Sequence, residues 1–352
     1  MVDDRIFEYF LRHGKAAPSA DNSQPWAFAR DGDGFEIRYH TSRVAEKTFA
    51  ADDPATLIAV GALLENLRQA AVASGISIDV HVWPEGLDNR EHFASVFPSS
   101  VRSEDGMTDT FVADIMNRHT NRLSYRAKPL GGNELDGLIG LSRGTARLAW
   151  LDPAENKAMG QLVRQASEVR FRTQEVHEWL VRSLRFDEQE ANSGDGLDVA
   201  TLGLPPGGRQ LLKFIAPWPR MAFLNRLGMF RMMALIEARP ISIAPQLVAI
   251  VSPRGRDDVL DAGSLLEQLW IELNKRGLAV HPYYVISDQL NRLASGRVPE
   301  GLSVEVLRLG SACAALLRLA EGEQLQMLLR VGHPRCAPVK SRRLPDSSLV
   351  KS

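Results

Sequence analysis

Apolar residues recur along the chain in two rhythms. Between Pro54 and Ser74 they crowd at Leu63, Leu64, Leu67 and Ala71, the i, i+1, i+4 and i+8 spacing of a broadly buried helix of about five turns. Asp52-Asp53-Pro54 supplies a helix start, and Gly75 a left-handed stop. Directly afterwards Ile76 to Trp83 is rich in β-forming residues and reads as a strand. The same signals return at one offset of 202 residues. Gly61-Ala62-Leu63-Leu64-Glu65-Asn66-Leu67 is echoed by Gly263-Ser264-Leu265-Leu266-Glu267-Gln268-Leu269, and Gly75-Ile76 by Gly277-Leu278. Asp257-Asp258 again gives an acidic start, and a strand is expected over Leu278 to Ile286. A fixed offset across helix, cap and strand predicts two related halves of α+β type.

Between the repeats, strands are expected from Thr145 to Leu151 and from Gln246 to Val251, with another from Gln326 to Val331 near the end. Asn156 to Arg182 reads as one helix, with Val163, Ala166, Val169 and Val176 roughly on one face. Residues 187–220 hold Ser193-Gly194-Asp195-Gly196 and Pro205-Pro206-Gly207-Gly208, which are loop signals. Arg220 to Arg239 is helical by propensity and carries Met221, Met229, Met232 and Met233. It reads first as a core or lid helix; a membrane-surface helix is the alternative that Arg220, Arg226, Arg231 and Arg239 allow. The expected division is a first half over residues 1–115 and a second over 116–352, the latter carrying a lid-like insertion at about 187–240.

Charge removes several function classes. Lys plus Arg total 42 against 43 for Asp plus Glu, without a long block of one sign, so a nucleic-acid binder is not expected. Cys313 and Cys336 belong to no zinc-type spacing and make no disulfide framework, and no metal is expected. Asp3, Asp4, Arg5 and Glu8 are unlike a signal peptide, and every 18-residue window contains a charge. A cytoplasmic protein without a membrane span is therefore expected.

Three short segments carry candidate chemistry. Two prolines bracket small and amide side chains in Ala17-Pro18-Ser19-Ala20-Asp21-Asn22-Ser23-Gln24-Pro25-Trp26, fixing a loop in which Ser19, Asn22 and Gln24 can converge, or which simply leads into a strand at Trp26. Arg118-His119-Thr120-Asn121-Arg122 clusters cationic and hydroxyl donors as a phosphate or anionic ring requires, and reads alternatively as a solvated charge cluster. Lys340-Ser341-Arg342-Arg343 adds three cations, or is a basic tail.

The first segment resembles the PSxxNxQPW loop of the nitroreductase-like flavoproteins, the second that family's RRSxR phosphate motif with His and Thr substituted, and the third its C-terminal KSR element. Arg276-Gly277-Leu278 looks like the family's turn after the central helix. In order and extent the chain is most similar to the tandem, Acg-like subgroup, in which two units in one polypeptide imitate a homodimer. One departure is the order: the loop precedes the Arg cluster by about a hundred residues, so each half owns part of one site. No Asn-x-Gln-Pro-Trp occurs near Pro240 to Pro245, so one FMN per chain is expected.

The resemblance implies that Arg118 and Thr120 hold the FMN phosphate with Arg342 and nearby Lys340, Arg343 replacing Arg342 if the register slips by one, and it counts His119 among the cofactor-binding residues. It places Arg122 against the pyrimidine edge, stabilising negative charge at N1 and O2. Pro18, Ser19, Ala20, Asn22 and Gln24 would line the ring, while the turn His281-Pro282-Tyr283-Tyr284 would offer a backbone N–H near N5, at Tyr284. His281 itself reads as a packing residue sooner than a catalyst. The function implied is hydride transfer from NAD(P)H to an unidentified small-molecule acceptor. Two alternatives remain: sequestration of FMN under a lid without turnover, and oxidation of a biosynthetic intermediate. Further homodimerisation is left open.

Overall fold

The computed structural model describes residues 2–41, 49–86, 89, 91–101 and 112–351. Two long helices lie at its centre. The first, Pro54–Ser74, is capped by the Asp53 carboxylate, which accepts from Ala55 N, and stops at Gly75 with φ of 69°. The second, Arg256–Lys275, carries Asp257 and Asp258 in its first turn, where they oppose the positive helix end. They cross at matched glycines of the repeat. A Cβ added to Gly61 would stand 2.1 Å from the Leu260 carbonyl oxygen, and one on Gly263 would stand 2.2 Å from that of Ile58. Ser264 Oγ donates to Gly61 O at 3.0 Å within the crossing. Only glycine permits such backbone contact.

Each central helix feeds an edge strand of a five-stranded sheet. In the first sheet the order is Val350–Lys351, Trp26–Asp31, Gly34–Tyr39, His92–Val101, Ile76–Val82; in the second it is Ala279–Tyr283, Gln324–Gly332, Gln246–Ser252, Ala146–Trp150, Ser142–Arg143. Neighbours are antiparallel except for Val350–Lys351, which returns from the far end of the chain to lie parallel to the first sheet's Trp26–Asp31, with Phe28 opposite Val350. One continuous apolar core joins Phe28, Leu63 and Leu67 to Leu265, Leu269 and Val280. A second lies around Met159, Val163, Ile241 and Leu328.

Three expected elements differ. The helix expected over 156–182 is two, Asn156–Arg172 and Gln174–Ser183, because Thr173 is extended and its hydroxyl donates to Val169 O instead of continuing the helix. The Met-rich helix is likewise divided, into Trp218–Arg226 and Met229–Ser242, by Gly228 with φ of 92°. The strand expected over 278–286 ends at Tyr283, and Val285–Ala294 is helical, its Val285 and Ile286 buried in the second core. The α+β class and the repeated helix-cap-strand order stand as expected.

Since a methyl group at Gly61 must force the two central helices apart, Gly61→Ala is expected to destabilise the protein by about 1–3 kcal/mol, the usual range for overpacking. Urea unfolding measures it, and a midpoint equal to wild type would mean that the crossing is looser than described.

Candidate functional site

A cavity of about 750 Å³ is walled by residues 18–22, 118–120, 122, 281–285, 340, 341 and 343 and by the insertion. The first wall is a strained loop. Asp21, Asn22 and Gln24 have φ of 49°, 56° and 47°, left-handed values that side chains hold only when their surroundings overdetermine them. Here the surroundings do so. Asn22 Nδ2 donates to Gly194 O at 3.1 Å and Arg342 O at 3.0 Å, and Gln24 Nε2 donates to Gly194 O at 2.9 Å. Leu344 N donates to Gln24 Oε1 at 3.1 Å, and Gln24 N to Ser19 Oγ at 2.9 Å. Pro18, Ser19, Ala20 and Asn22 line the cavity; Gln24 does not, being fully buried behind it as a strap between loop, insertion and C-terminal segment.

The Arg cluster is positioned by the second sheet. Asn121 N donates to Val280 O at 2.8 Å and Thr120 bridges Val280, so residues 118–122 extend that sheet's edge and lie beside His281, Pro282, Tyr283 and Tyr284. Arg118 is already engaged: its Nη2 donates to Ala16 O at 2.8 Å, its Nε lies 2.8 Å from the Glu267 carboxylate, and its guanidinium covers Trp270 at 4.6 Å. Arg343 Nη2 donates to the same Ala16 oxygen at 3.1 Å and its Nη1 to Asn22 Oδ1. Loss of water, then the Arg118 charge, push the Arg343 pKa down to about 9, while burial pushes the Glu267 carboxyl up to about 7. Two guanidinium groups thus share one buried carboxylate. Lys340, His119 and Thr120 also line this region, which carries surplus positive charge suited to an anion.

Arg342 lies outside the cavity wall. It bonds Glu188 and Asn192 on the exposed side, and its extended neighbour Arg343 points the opposite way, so Arg343 is the cation at the cavity. Arg122 faces the cavity with a single hydrogen bond among the described residues, from Nη1 to Thr201 Oγ1 at 3.4 Å. Dehydration lowers its pKa, against the opposing pull of Asp21. His281, also dehydrated and beside Arg122 and Arg330, is held well below its usual pKa and so is neutral, and its Nδ1 lacks a partner among the described residues. Tyr283 packs on it with ring centres 4.3 Å apart, and Tyr284 accepts from Asn291 Nδ2 at 3.0 Å.

Several lining residues carry no local motif. Asp21 accepts from Trp179 Nε1 at 2.9 Å. Asp288 has its carboxyl pushed up to about 6 by burial. Arg170 Nη2 holds Glu237 of the insertion at 2.6 Å, and Met233, Ile236 and Pro240 close that side. Asp21 alone had a sequence signal, lying inside the loop motif. Away from the cavity, Glu36, Glu85 and His92 draw together, but Arg38 pairs with both carboxylates. No helix among the described residues is long and apolar enough to cross a membrane.

No protein-family model matches the chain. In sequence it is similar to two other proteins. It is 27% identical over 301 residues to a probable NAD(P)H nitroreductase, PigM, of Serratia sp. (strain ATCC 39006), a match covering 81% of this chain and 82% of that protein. It is also 26% identical over 280 residues, 76% of this chain, to the uncharacterized protein MT1398 of Mycobacterium tuberculosis (strain CDC 1551 / Oshkosh), spanning 37% of that protein's length. Among solved structures it is similar to the FMN-bound nitroreductase of Bacteroides fragilis, with TM-score 0.37, 11% identity, and coverage of 68% of this chain and 96% of the other. The FMN-dependent nitroreductase NfnB of Mycobacterium smegmatis in complex with NADPH gives TM-score 0.39, 14% identity, and coverage of 68% and 96%.

Glu267 makes the region pH-sensitive in a definite direction. Its folded pKa, near 7, exceeds the ordinary value of 4.5, so the folded state holds the proton over the window in which the unfolded state has released it. Stability therefore falls as pH rises from about 4.5 to about 7. Glu267→Gln is expected to remove that part of the slope in thermal unfolding across this window; an unchanged slope would assign it to other groups.

Proposed function

We propose that the protein is an FMN-binding oxidoreductase of nitroreductase-like kind, working between NAD(P)H and a small-molecule acceptor. In this reading residues 1–115 and 116–352 are two nitroreductase-like units forming an intrachain pseudo-dimer, most similar to the tandem Acg-like subgroup, with one flavin between them and a cytoplasmic setting. The carrying observation is Arg122, a dehydrated guanidinium facing the cavity with only one long hydrogen bond of its own. The surplus positive charge of Arg118 and Arg343 over Glu267 fits a phosphomonoester, with Lys340, His119 and Thr120 alongside. Pro18, Ser19, Ala20 and Asn22 present a ring-lining wall, and Pro282, Tyr283 and Tyr284 the facing one.

When bound, FMN supplies two-electron hydride chemistry at N5. The chain's part is electrostatic. Arg122 holds a fixed positive charge in a drier wall, where it favours negative charge on a reduced ring. His281, neutral beside it, adds no competing cation. Asp21 and Trp179 brace the loop opposite. Sequestration is the second reading, favoured by the insertion: Leu202, Leu212, Met233, Ile236 and Pro240 cover one side of the cavity.

Purified protein should carry FMN and no FAD, at one per chain, measured by acid release and chromatography; a dominant FAD peak or two equivalent flavins would overturn the reading. Anaerobic NADPH, then NADH, separates its two forms: rapid bleaching supports turnover, and bleaching by dithionite alone supports sequestration. Arg122→Ala should retain FMN while lowering its midpoint potential. A charge-assisted hydrogen bond of roughly 1.5–3 kcal/mol corresponds, at about 1.4 kcal/mol per 30 mV, to a shift of about 30–60 mV. An unchanged potential would remove Arg122 from the mechanism.

A further inference from the structure

The insertion carries a charge and hydropathy pattern that redox chemistry does not require. Residues 204–243 hold six cations, Arg209, Lys213, Arg220, Arg226, Arg231 and Arg239, against a single carboxylate, in a chain whose net charge is −1. That carboxylate, Glu237, is spent on Arg170. The helix Met229–Ser242 is turned unusually. Its buried positions are Ala234, Ala238 and Ile241, all small or medium in size, whereas Met232, Leu235, Ile236 and Ile243 are exposed. At about 100° per residue these four, with Arg239, fall within an arc of about 100° on the outward side. The neighbouring helix, Trp218–Arg226, continues the pattern, with Phe223 exposed at 59%, Arg226 exposed, and Leu227 just beyond at 74%. Apolar side chains interleaved with arginines on an outward face suit the boundary between lipid headgroups and acyl chains.

We propose that this face of the insertion docks on the surface of an anionic lipid bilayer. The charge sign selects that occupant over a second copy of the chain. A two-fold contact would set the same six cations against each other with Glu237 already paired, whereas lipid phosphates neutralise them. Ile236 is exposed and also lines the cavity, so the docked face adjoins the cavity wall. The proposal does not depend on the flavin reading, because docking is measured without turnover.

Flotation of the full-length protein with phosphatidylglycerol–phosphatidylcholine vesicles, against phosphatidylcholine vesicles alone, tests it. The expected result is at least about ten-fold stronger partitioning onto the anionic vesicles at low salt, weakening several-fold at about 0.5 M salt as the charges are screened. Leu227→Glu with Leu235→Glu, and separately Arg226→Glu with Arg231→Glu, should each reduce partitioning about ten-fold with unchanged circular dichroism, since all four side chains are exposed. Equal partitioning onto both vesicles, no partitioning onto anionic vesicles, or wild-type partitioning by both variants overturns the proposal. So does a solution dimer that Leu227→Glu dissolves, which would make the face a contact between copies.

Discussion

The close crossing of Gly61 and Gly263 is the constraint on which the rest of the structure depends. Because the helices touch backbone to backbone, their faces are fixed in rotation as well as in distance, and whatever follows at helical spacing is placed with them. On the second helix, Glu267 and Trp270 stand four and seven residues beyond Gly263, on the same face, and these two hold Arg118. On the first helix the matched positions are Glu65 and Arg68, which lie 3.9 Å apart, with Arg143 a further 3.9 Å from the Glu65 carboxylate. One repeated pattern therefore puts Trp270 in the cavity lining on one helix, and on the other a buried Glu65 carboxylate between the half-buried Arg68 and Arg143.

The cavity is polar where residues 18–22, 118–120, 122, 340, 341 and 343 supply side chains and apolar where Leu202, Leu212, Met233 and Ile236 cover it. At the polar end, charge is not balanced within the protein: Arg118 and Arg343 crowd one carboxylate, and the lowered pKa of Arg343 reflects first its loss of water and then the Arg118 charge. A buried surplus of this sign lowers stability unless an anion joins it. The strained loop of Asp21, Asn22 and Gln24 belongs to the same economy, since its left-handed backbone is held by bonds to Gly194, Arg342 and Leu344 rather than by its own preference.

Much of this was legible in the chain before any coordinates. The 202-residue offset marked the central helices and their strands, because burial of an entire helix leaves an unmistakable apolar stripe and a glycine stop. The loop and the Arg cluster stood out because they concentrate polar donors where little else explains them. Less legible was direction. Whether Arg342 or Arg343 faces inward depends on one residue of register in an extended segment, and Gln24 lies in a motif yet faces away from the cavity. Asp288 and Arg170 reach the cavity from helices whose sequences give no hint of it, since their neighbours are chosen by tertiary packing. Of the two helix breaks, Gly228 carries a sequence signal, a poor helix former that takes a left-handed φ of 92°, whereas Thr173 stands in a run without Gly or Pro and its break is set by the hydroxyl bond to Val169 O.

The strand Val350–Lys351 has a consequence for how the molecule is made. It completes a sheet whose other members lie between Trp26 and Val101, and the residues of the second sheet are synthesised between them. During translation the Trp26–Asp31 strand therefore waits with one edge open, and the loop at residues 18–24 waits for the carbonyl of Arg342 and the amide of Leu344. A chain that stops short of residue 340 therefore lacks the partner of that strand edge and the C-terminal cations of the cavity wall alike.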